Sequence, residues 1–219
     1  MISVVIPTHN SQASLSRCFN SLIGATVHGM VKEVVVADGG SNDDTLALAD
    51  AAGAHVVRGG KTLASQLAAG ANAARSDWLL FLHPETALDP DWEVEATAFI
   101  SRVTIEHQRA AAFRFALEEC DGPSRRAEFL TALRCRLFKL PYGDQGLLIP
   151  KRLYKKLGGY REGKMEDVDL VRRIGARRLA ILRARAVNET VARPSALCNL
   201  ALTALHTLGL PTRVLARLG

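Results

Sequence analysis

Short apolar segments alternate with longer amphipathic segments through the first half of the chain. Four of the short segments are rich in β-branched or other apolar residues and end at turn residues, which predicts strands over residues 3–7, 33–38, 55–57 and 78–82. Helical patterns fill the intervals, over residues 13–23, 43–52 and 62–74. Near-continuous apolar strands separated by helices are typical of a parallel sheet that is covered on both faces.

Turn chemistry supports the boundaries of one of these helices. The Ser41, Asn42 and Asp43 cluster supplies an N-cap for the helix at 43–52, and Gly53 supplies its stop.

After residue 90 the pattern becomes less regular. It predicts helices over residues 91–107, 125–137 and 165–175, and strands over residues 111–117, 146–150 and 179–187. No Gly/Ser linker, low-complexity run or internal repeat divides the two halves. We therefore predict one α/β domain over residues 1–193, with a second half that is not purely parallel.

The composition is that of an ordinary globular protein with a basic balance. The chain has 219 residues, 48% of them hydrophobic, a net charge of +6 and a pI near 9.4. Such a charge favours anionic partners: nucleotide diphosphates, nucleic acid or an anionic membrane surface. The four cysteines have no CxxC spacing, which argues against a zinc knuckle or a disulfide scaffold. With no signal-peptide pattern and no apolar run of about 18 residues, we expect a cytoplasmic protein.

Polar side chains follow three of the predicted strands at the point where each strand ends. They are the Thr8-His9-Asn10 run, Asp38, and the His83–Glu85 segment. Ligands of open α/β sheets bind outside the carboxyl ends of the strands. Each group taken alone could cap a turn, but three on one edge favour a binding site. The Gly-x-Gly-x-x-Gly fingerprint of dinucleotide-binding domains is absent after the first strand.

The segments "SVVIPTHN" (3–10) and "ADGGSNDDT" (37–45) resemble the family 2 glycosyltransferases with the GT-A fold. The resemblance implies a mixed, mostly parallel central sheet flanked by helices, and a nucleotide-diphosphate sugar as donor. It assigns Pro7, Thr8, Asn10, Asp38 and Gly39 to the donor nucleotide.

The segment "FLHPET" (81–86) acquires a role from the same resemblance. Many GT-A enzymes carry an Asp-x-Asp here that binds Mn²⁺ or Mg²⁺ with the donor diphosphate, and a subgroup of small bacterial enzymes has His-Ala-Asp-Thr. Glu85 is therefore the candidate metal ligand, with His83 beside the donor. Alternatively, residues 83–86 form only a hydrogen-bonded turn, and catalysis does not require a metal. The His-x-Glu spacing also opens a zinc deaminase motif, but the required Pro-Cys-x-x-Cys is missing.

Residues 58–77 resemble the stretch that links these sites in the family. Arg58, Lys61 and Gln66 fall where the resemblance puts donor-facing groups, although Lys61 could equally be a surface lysine. Ala68 stands where the subgroup usually has Asn.

Residues 140–174 carry the resemblance further. It makes Asp167 the catalytic base of an inverting displacement, because the reaction needs one carboxylate near the acceptor hydroxyl. An acid in the first turn of a helix is also a good cap. The resemblance places Asp144, Gln145 and Glu166 at the acceptor, and Arg172 or Arg173 at the diphosphate.

Residues 194–219 form a separate segment, with an apolar helix predicted over 195–208 and a basic end. It could pack under the sheet, form a homodimer, or lie at a membrane that holds a lipid-linked acceptor. The subgroup usually has an Arg-Arg-Trp-like stretch before this helix, whereas only Arg193 stands here.

The sequence thus predicts a glycosyltransferase that moves a sugar onto a hydroxyl, with a divalent cation as candidate cofactor and no nucleic-acid partner. A nucleotidyltransferase would need a Gly-rich basic loop after the first strand, which "PTHNSQASLSR" lacks. A nucleic-acid-binding module would not explain the acids at the strand ends, since they repel phosphates. A non-catalytic relative remains the other alternative.

Overall fold

The computed structural model describes residues 1–119, 122–138, 141, 143–163 and 165–189. The predicted helix at 195–208 and Arg193 lie outside these residues.

A single mixed sheet forms the centre of the described chain. Its eight strands lie in the order β3-β2-β1-β4-β7-β6-β8-β5. The strands are β1 Ile2–Thr8, β2 Val31–Asp38, β3 His55–Arg58, β4 Trp78–Phe81, β5 Thr86–Leu88, β6 Ala110–Leu117, β7 Leu147–Pro150 and β8 Leu179–Asn188. Strands β1 to β4 are parallel, β7 runs antiparallel between β4 and β6, and β8 is parallel to β6 and antiparallel to β5. This confirms the predicted mixed, mostly parallel sheet.

Helices cover both faces of the sheet. They are α1 Gln12–Asn20, α2 Ile23–Val27, α3 Thr45–Ala51, α4 Leu63–Ala73, α5 Trp92–Ile100, α6 Gly122–Phe138, α7 Lys151–Lys156 and α8 Glu166–Ile174. Alternate strand residues supply the two cores. Val5 and Phe81 pack in the cluster that includes α4, α7 and α8, whereas Ile6 and Leu80 pack in the cluster that includes α1 and α5.

Several elements differ from the prediction. The helix expected over 91–107 ends at Ile100, because the following Val103, Thr104 and Ile105 are β-branched and disfavour a helix. The helix expected over 13–23 is divided into α1 and α2, and the sequence pattern did not predict β5 or α7.

The predicted cap of α3 is displaced by one residue. Asp44 occupies the N-cap position without a side-chain cap, while Asp43 accepts hydrogen bonds from the backbone and hydroxyl of Thr45. The predicted stop is confirmed, since Gly53 has a φ of +72° and its N–H bonds the carbonyl of Asp50.

None of the helices in the described ranges has the length and apolar character that a bilayer span requires.

The topology brings several loops to one edge of the sheet. Strands β1 to β4 are parallel, so the segments that follow them all leave from this carboxyl edge. Strand β7 is antiparallel to β4, so the 3₁₀ turn that precedes it, Gly143–Gln145, lies at the same edge. The Thr8 carbonyl accepts the N–H of Gly39 there, which ties the first two loops together.

Candidate active site

Asp38 ends β2 at the carboxyl edge, and its carboxylate organises the turn that follows. Oδ1 accepts hydrogen bonds from the hydroxyls of Thr8 (3.0 Å) and Ser41 (2.5 Å). Oδ2 accepts the backbone N–H groups of Gly40 (2.8 Å) and Ser41 (2.9 Å). Burial alone would raise the pKa of Asp38, but these bonds from Ser41, Gly40 and Thr8 outweigh it and hold the pKa below 3.8. Asp38 is therefore an ionised anchor of the 39–41 turn.

Asn10 connects the loop after β1 to the loop after β2. Its backbone N–H donates to the Ser41 hydroxyl (2.9 Å), and its side-chain oxygen accepts the N–H of Asn42 (2.8 Å). Asn10 also has a φ of +52°, an uncommon conformation for a residue other than glycine. The two loops predicted to bind the nucleotide thus form one hydrogen-bonded surface, with Pro7 and Thr8 buried beneath it.

Gln66 fills the space between the loops after β2 and β3. It is buried, and Nε2 donates to the carbonyl of Gly60 (3.4 Å). A Cβ atom at Gly39 would clash with the Gln66 amide, and one at Gly59 would lie 2.6 Å from Gln66 Cγ. The close approach of these backbones to one side chain explains the glycines. Lys61 and Arg58 are exposed at the same edge, where they are accessible to an anionic ligand.

A second group of side chains surrounds Asp167, in the first turn of α8. A Cβ atom placed on Gly143 would lie 2.5 Å from Asp167 Oδ2 and 2.5 Å from His83 Nε2, so Gly143 separates these two side chains at close range. The Gly143 N–H and the Tyr160 hydroxyl both hydrogen-bond the Asp167 carboxylate. Met165, just before the helix, has a φ of +65°, so a strained residue directs the chain into this turn.

The Asp167 carboxylate is only partly satisfied. Oδ1 is buried and has no hydrogen-bond partner in the described part of the protein. Burial raises the pKa of Asp167 and the nearby Asp144 adds to this, whereas His83 and the hydrogen bonds from Tyr160 and Gly143 act in the opposite direction. A buried carboxylate with a raised pKa and an unpaired oxygen is chemically suited to accept a proton from a ligand.

Neighbouring ionisable groups share this environment. The pKa of Glu166 is raised, first by burial and then by Asp167. The Tyr160 pKa lies well above its ordinary value of 10.0 because the ring is buried and Asp167 is close, so the hydroxyl keeps its proton and serves as a donor. The Tyr160 ring packs edge-on against Phe81, with the centroids 5.1 Å apart.

His83 and Glu85 act on different neighbours, although only Pro84 lies between them in the chain. His83 influences the carboxylates at the start of α8. Glu85 instead faces Cys18 in α1: burial, with Glu85 as a second cause, raises the pKa of that thiol to about 12. In the described residues, no group of three or more His, Cys, Asp or Glu side chains could hold a metal ion by itself. A cation here would need ligand oxygens from a bound substrate.

Two of the residues predicted at the site are engaged within the protein. Arg173 donates to Asp169 Oδ2 (2.9 Å from Nε) and to the carbonyls of Leu157 and Gly159, so its guanidinium joins α8 to the end of α7. Gln145 is buried: its amide nitrogen donates to the carbonyl of Phe113 (3.0 Å), and its oxygen accepts the thiol of Cys135. Both side chains thus support the loops around the site, while Arg172 is exposed.

Three contributors to the site are absent from the sequence-based assignment. Tyr160 and Gly143 contact Asp167 directly, and Asn188 donates to the backbone carbonyl of Asp144 (2.9 Å). The glycine pair before Tyr160, both with positive φ, is a signal for a special backbone conformation. No local pattern marks Asn188, because its partners lie far away in the chain.

Residues 3–102 match the family model described as Glycosyl transferase family 2. No curated protein matches the chain in sequence.

Several solved structures share this fold over nearly all of the chain. One is the glucosyl-3-phosphoglycerate synthase of Mycobacterium tuberculosis in complex with Mn²⁺, UDP and glucosyl-3-phosphoglycerate; it is 23% identical, with a TM-score of 0.65, and the match covers 96% of this chain and 81% of that one. The same enzyme with Mn²⁺, UDP-glucose and phosphoglyceric acid matches with 23% identity, a TM-score of 0.62 and coverages of 96% and 80%. A structure described only as that of a mycobacterial protein matches with 22% identity, a TM-score of 0.64 and coverages of 96% and 76%. The likeness confirms the GT-A fold.

Proposed function

We propose that this chain transfers a sugar from a UDP-sugar to an acceptor hydroxyl with inversion at the anomeric carbon, because residues 3–102 match the model described as Glycosyl transferase family 2. The observation that carries the proposal is the Asp167 carboxylate, which lies buried at the carboxyl edge with one oxygen unpaired and a raised pKa. The solved structures of similar fold contain UDP or UDP-glucose, which supports this donor class.

Asp167 is the proposed general base. Its carboxylate takes the proton of the acceptor hydroxyl, the freed oxygen attacks the anomeric carbon, and the bond from that carbon to the diphosphate breaks, releasing UDP. Hydrogen bonds from Gly143 and Tyr160 orient the carboxylate and leave Oδ1 for the substrate. Because its pKa is raised, Asp167 is a stronger proton acceptor than an exposed aspartate.

The donor would lie on the surface built by the loops after β1, β2 and β3. The Asp38-anchored turn and Asn10 would hold the nucleotide, and Gln66 would support them by filling the space between the loops after β2 and β3. Lys61 is exposed at this edge and would face the diphosphate, and the exposed Arg172 on α8 is the second candidate for this role. Positive charge there stabilises the leaving group as it departs.

A divalent cation fits these residues in one specific way. The described residues offer no complete protein cage, but Mg²⁺ and Mn²⁺ are often held by one or two carboxylates together with substrate phosphates. Glu85 is the proposed protein ligand, with His83 close to the diphosphate. When bound, the cation would neutralise charge on the leaving diphosphate. The Mn²⁺ in the structures of similar fold supports a divalent cation as cofactor.

The acceptor is proposed to contact the start of α8 and the 3₁₀ turn. Asp144 and Glu166 are half-buried beside Asp167 and are suited to bind hydroxyl groups. Gln145 would shape this pocket indirectly, through its bonds to Phe113 and Cys135.

The activity is tested by incubating the full chain with UDP-glucose, Mn²⁺ and a panel of hydroxyl acceptors that includes phosphoglyceric acid. UDP release is followed by a coupled assay, the product by mass spectrometry, and its anomeric configuration by NMR. We expect acceptor-dependent UDP release with an inverted product, which Asp167→Asn abolishes and the exposed-site control Asp50→Asn preserves. A product with retained configuration, or full activity in Asp167→Asn, would exclude the proposed base.

A further inference from the structure

A cluster of cations lies far from the proposed active site, around a cavity of about 410 Å³. We call it the basic pocket and define it by five side chains that line it: Arg109, Arg152, Lys156, Arg177 and Arg178. The proposed transfer reaction uses none of these five residues.

The sheet topology explains why these cations meet. Arg109 and Arg178 immediately precede β6 and β8, which are parallel neighbours, and the Ala110 N–H donates to the Arg178 carbonyl (2.8 Å). Strand β7 runs antiparallel to β6, so its end and the following α7, with Arg152 and Lys156, arrive at the same place. Three separate elements therefore deliver positive charge to the amino ends of β6 and β8.

This position is distinct from the carboxyl edge. Strand β6 runs for eight residues from Ala110 to Leu117, a length of about 26 Å at 3.3 Å per residue. The basic pocket lies before its first residue, whereas Asp167, His83 and Asp38 lie at the opposite ends of their strands. A ligand in the basic pocket would not compete for the donor surface.

The positive charge is not neutralised within the described residues. None of the five cations forms an ion pair with a described carboxylate. In the part of the chain that the structure describes, Glu106 is the acidic residue on the pocket wall. Five like charges around one cavity repel each other, and a bound anion would relieve this repulsion.

The shape of the pocket suits a ligand with more than one phosphate group. A second cavity of about 340 Å³ shares Ile105, Gln108 and Arg152 with it and extends towards Trp78. Asp77 lies on the wall of that second cavity and makes no ion pair with Arg152. The guanidinium fork of arginine binds phosphate through two parallel hydrogen bonds, and four of the five cations are arginines.

We propose that the basic pocket binds a phosphate-bearing anion at a site separate from the donor site. The juxtaposition of Arg109, Arg152 and Arg178 from three elements around one cavity carries this assignment. The same phosphate chemistry is offered by a soluble polyphosphorylated molecule and by an anionic lipid headgroup, and the exposed side chain of Ile105 (74%) on the rim is compatible with both.

The test compares two double variants of the full chain. Arg109→Gln/Arg178→Gln removes two cations from the basic pocket, and Lys32→Gln/Arg102→Gln removes two exposed cations outside it. Each protein is titrated calorimetrically with tripolyphosphate at low salt. Each is also sedimented with vesicles of phosphatidylcholine alone and with vesicles containing about one third phosphatidylglycerol. Thermal unfolding checks that both variants fold, which we expect because all four side chains are exposed.

If the ligand is a soluble phosphorylated molecule, the pocket variant should lose at least about tenfold in tripolyphosphate affinity, while the control variant stays close to wild type. If the ligand is an anionic lipid headgroup, the pocket variant, but not the control variant, should no longer sediment with the anionic vesicles. Equal loss in both variants would reveal a non-specific basic surface and overturn the proposal. An absence of binding to both probes by the wild type would overturn it as well. Neither result depends on glycosyltransferase activity.

Discussion

The backbone N–H of Gly143 donates a hydrogen bond to the carboxylate of Asp167. This bond joins the turn before β7 to the first turn of α8, two segments separated by strand β7 and helix α7 in the chain. It leaves no room for a side chain on Gly143, because a Cβ atom there would approach both Asp167 and His83. The proposed base is thus positioned by main chain rather than by a flexible side chain.

Substituting Gly143 by alanine tests this positioning. The added Cβ would lie 2.5 Å from Asp167 Oδ2 and 2.5 Å from His83 Nε2, so the carboxylate must shift. Since a misplacement of about 1 Å can reduce turnover about 100-fold, we expect a loss of this order in kcat. The control is Gly163→Ala, because a Cβ at Gly163 meets nothing within 4 Å. Equal activity of the two variants would show that the position of Asp167 does not limit the reaction.

Substituting Tyr160 by phenylalanine tests how the base is tuned. The Tyr160 hydroxyl bonds the Asp167 carboxylate and lowers its pKa, so its removal raises the pKa of Asp167 further. The base then needs a higher pH to be ionised, and the acidic limb of the kcat/KM profile moves to higher pH.

The matched control for that variant is Tyr154→Phe. The Tyr154 hydroxyl accepts the N–H of Tyr160 (3.1 Å) and does not bond Asp167. Its loss leaves a buried donor unpaired, which costs about 1–3 kcal/mol of stability, but it should leave the acidic limb unchanged. A shift of equal size in both variants would assign the acidic limb to another group.

The raised pKa of Asp167 should also make the stability of the fold depend on pH. Its pKa in the folded protein is raised above the ordinary 3.8, so the fold favours the protonated form. The resulting stabilisation is present below pH 3.8 and is lost as the pH rises through the raised pKa. Asp167→Asn cannot ionise, so its melting temperature should rise relative to wild type as the pH increases, while activity is lost. A melting-temperature difference that is independent of pH between about 4 and 8 would contradict the raised pKa.

Asp38 should behave in the opposite way. Its pKa is lowered, so the stability that it contributes is present above pH 3.8 and is lost as the pH falls through its lower pKa in the folded state. In Asp38→Asn, the neutral amide has a single acceptor oxygen and cannot accept all four hydrogen bonds that the carboxylate accepts, so we expect a loss of about 2 kcal/mol near neutral pH. Chemical denaturation measures this loss. Asp50→Asn, which changes an exposed aspartate, should have no measurable effect; a matching loss there would refute the anchoring role of Asp38.

The first half of the fold could be predicted closely because its signals are local. Residues 3–7 were predicted as a strand and β1 covers Ile2–Thr8, since continuous apolar residues end at polar turn residues. Strand β5 escaped prediction because it has only three residues, Thr86–Leu88, and pairs with β8 about a hundred residues later. A strand that depends on a distant partner leaves little periodicity in its own sequence.

The site shows the same division between local and distant signals. The carboxyl-edge rule indicated Asp38 and His83, whereas Asp167 came from the family resemblance. The spacing of Arg173, one of the two arginines predicted at the diphosphate, also indicated a local partner: Asp169 precedes it by four residues, and the two form an ion pair on α8. The Tyr160–Asp167 bond depends on the packing of α8 against the aromatic cluster with Phe81, which no local pattern specifies.

Calorimetric titration of UDP, with and without Mn²⁺, tests the proposed donor site most directly. It is made on the wild type, on Glu85→Ala and on Asp167→Asn. We expect that the wild type binds UDP in the presence of Mn²⁺, that Glu85→Ala loses this metal-dependent binding, and that Asp167→Asn retains it because Asp167 serves the acceptor. Failure of the wild type to bind UDP, or identical Mn²⁺-dependent binding by Glu85→Ala, would contradict the donor site proposed here.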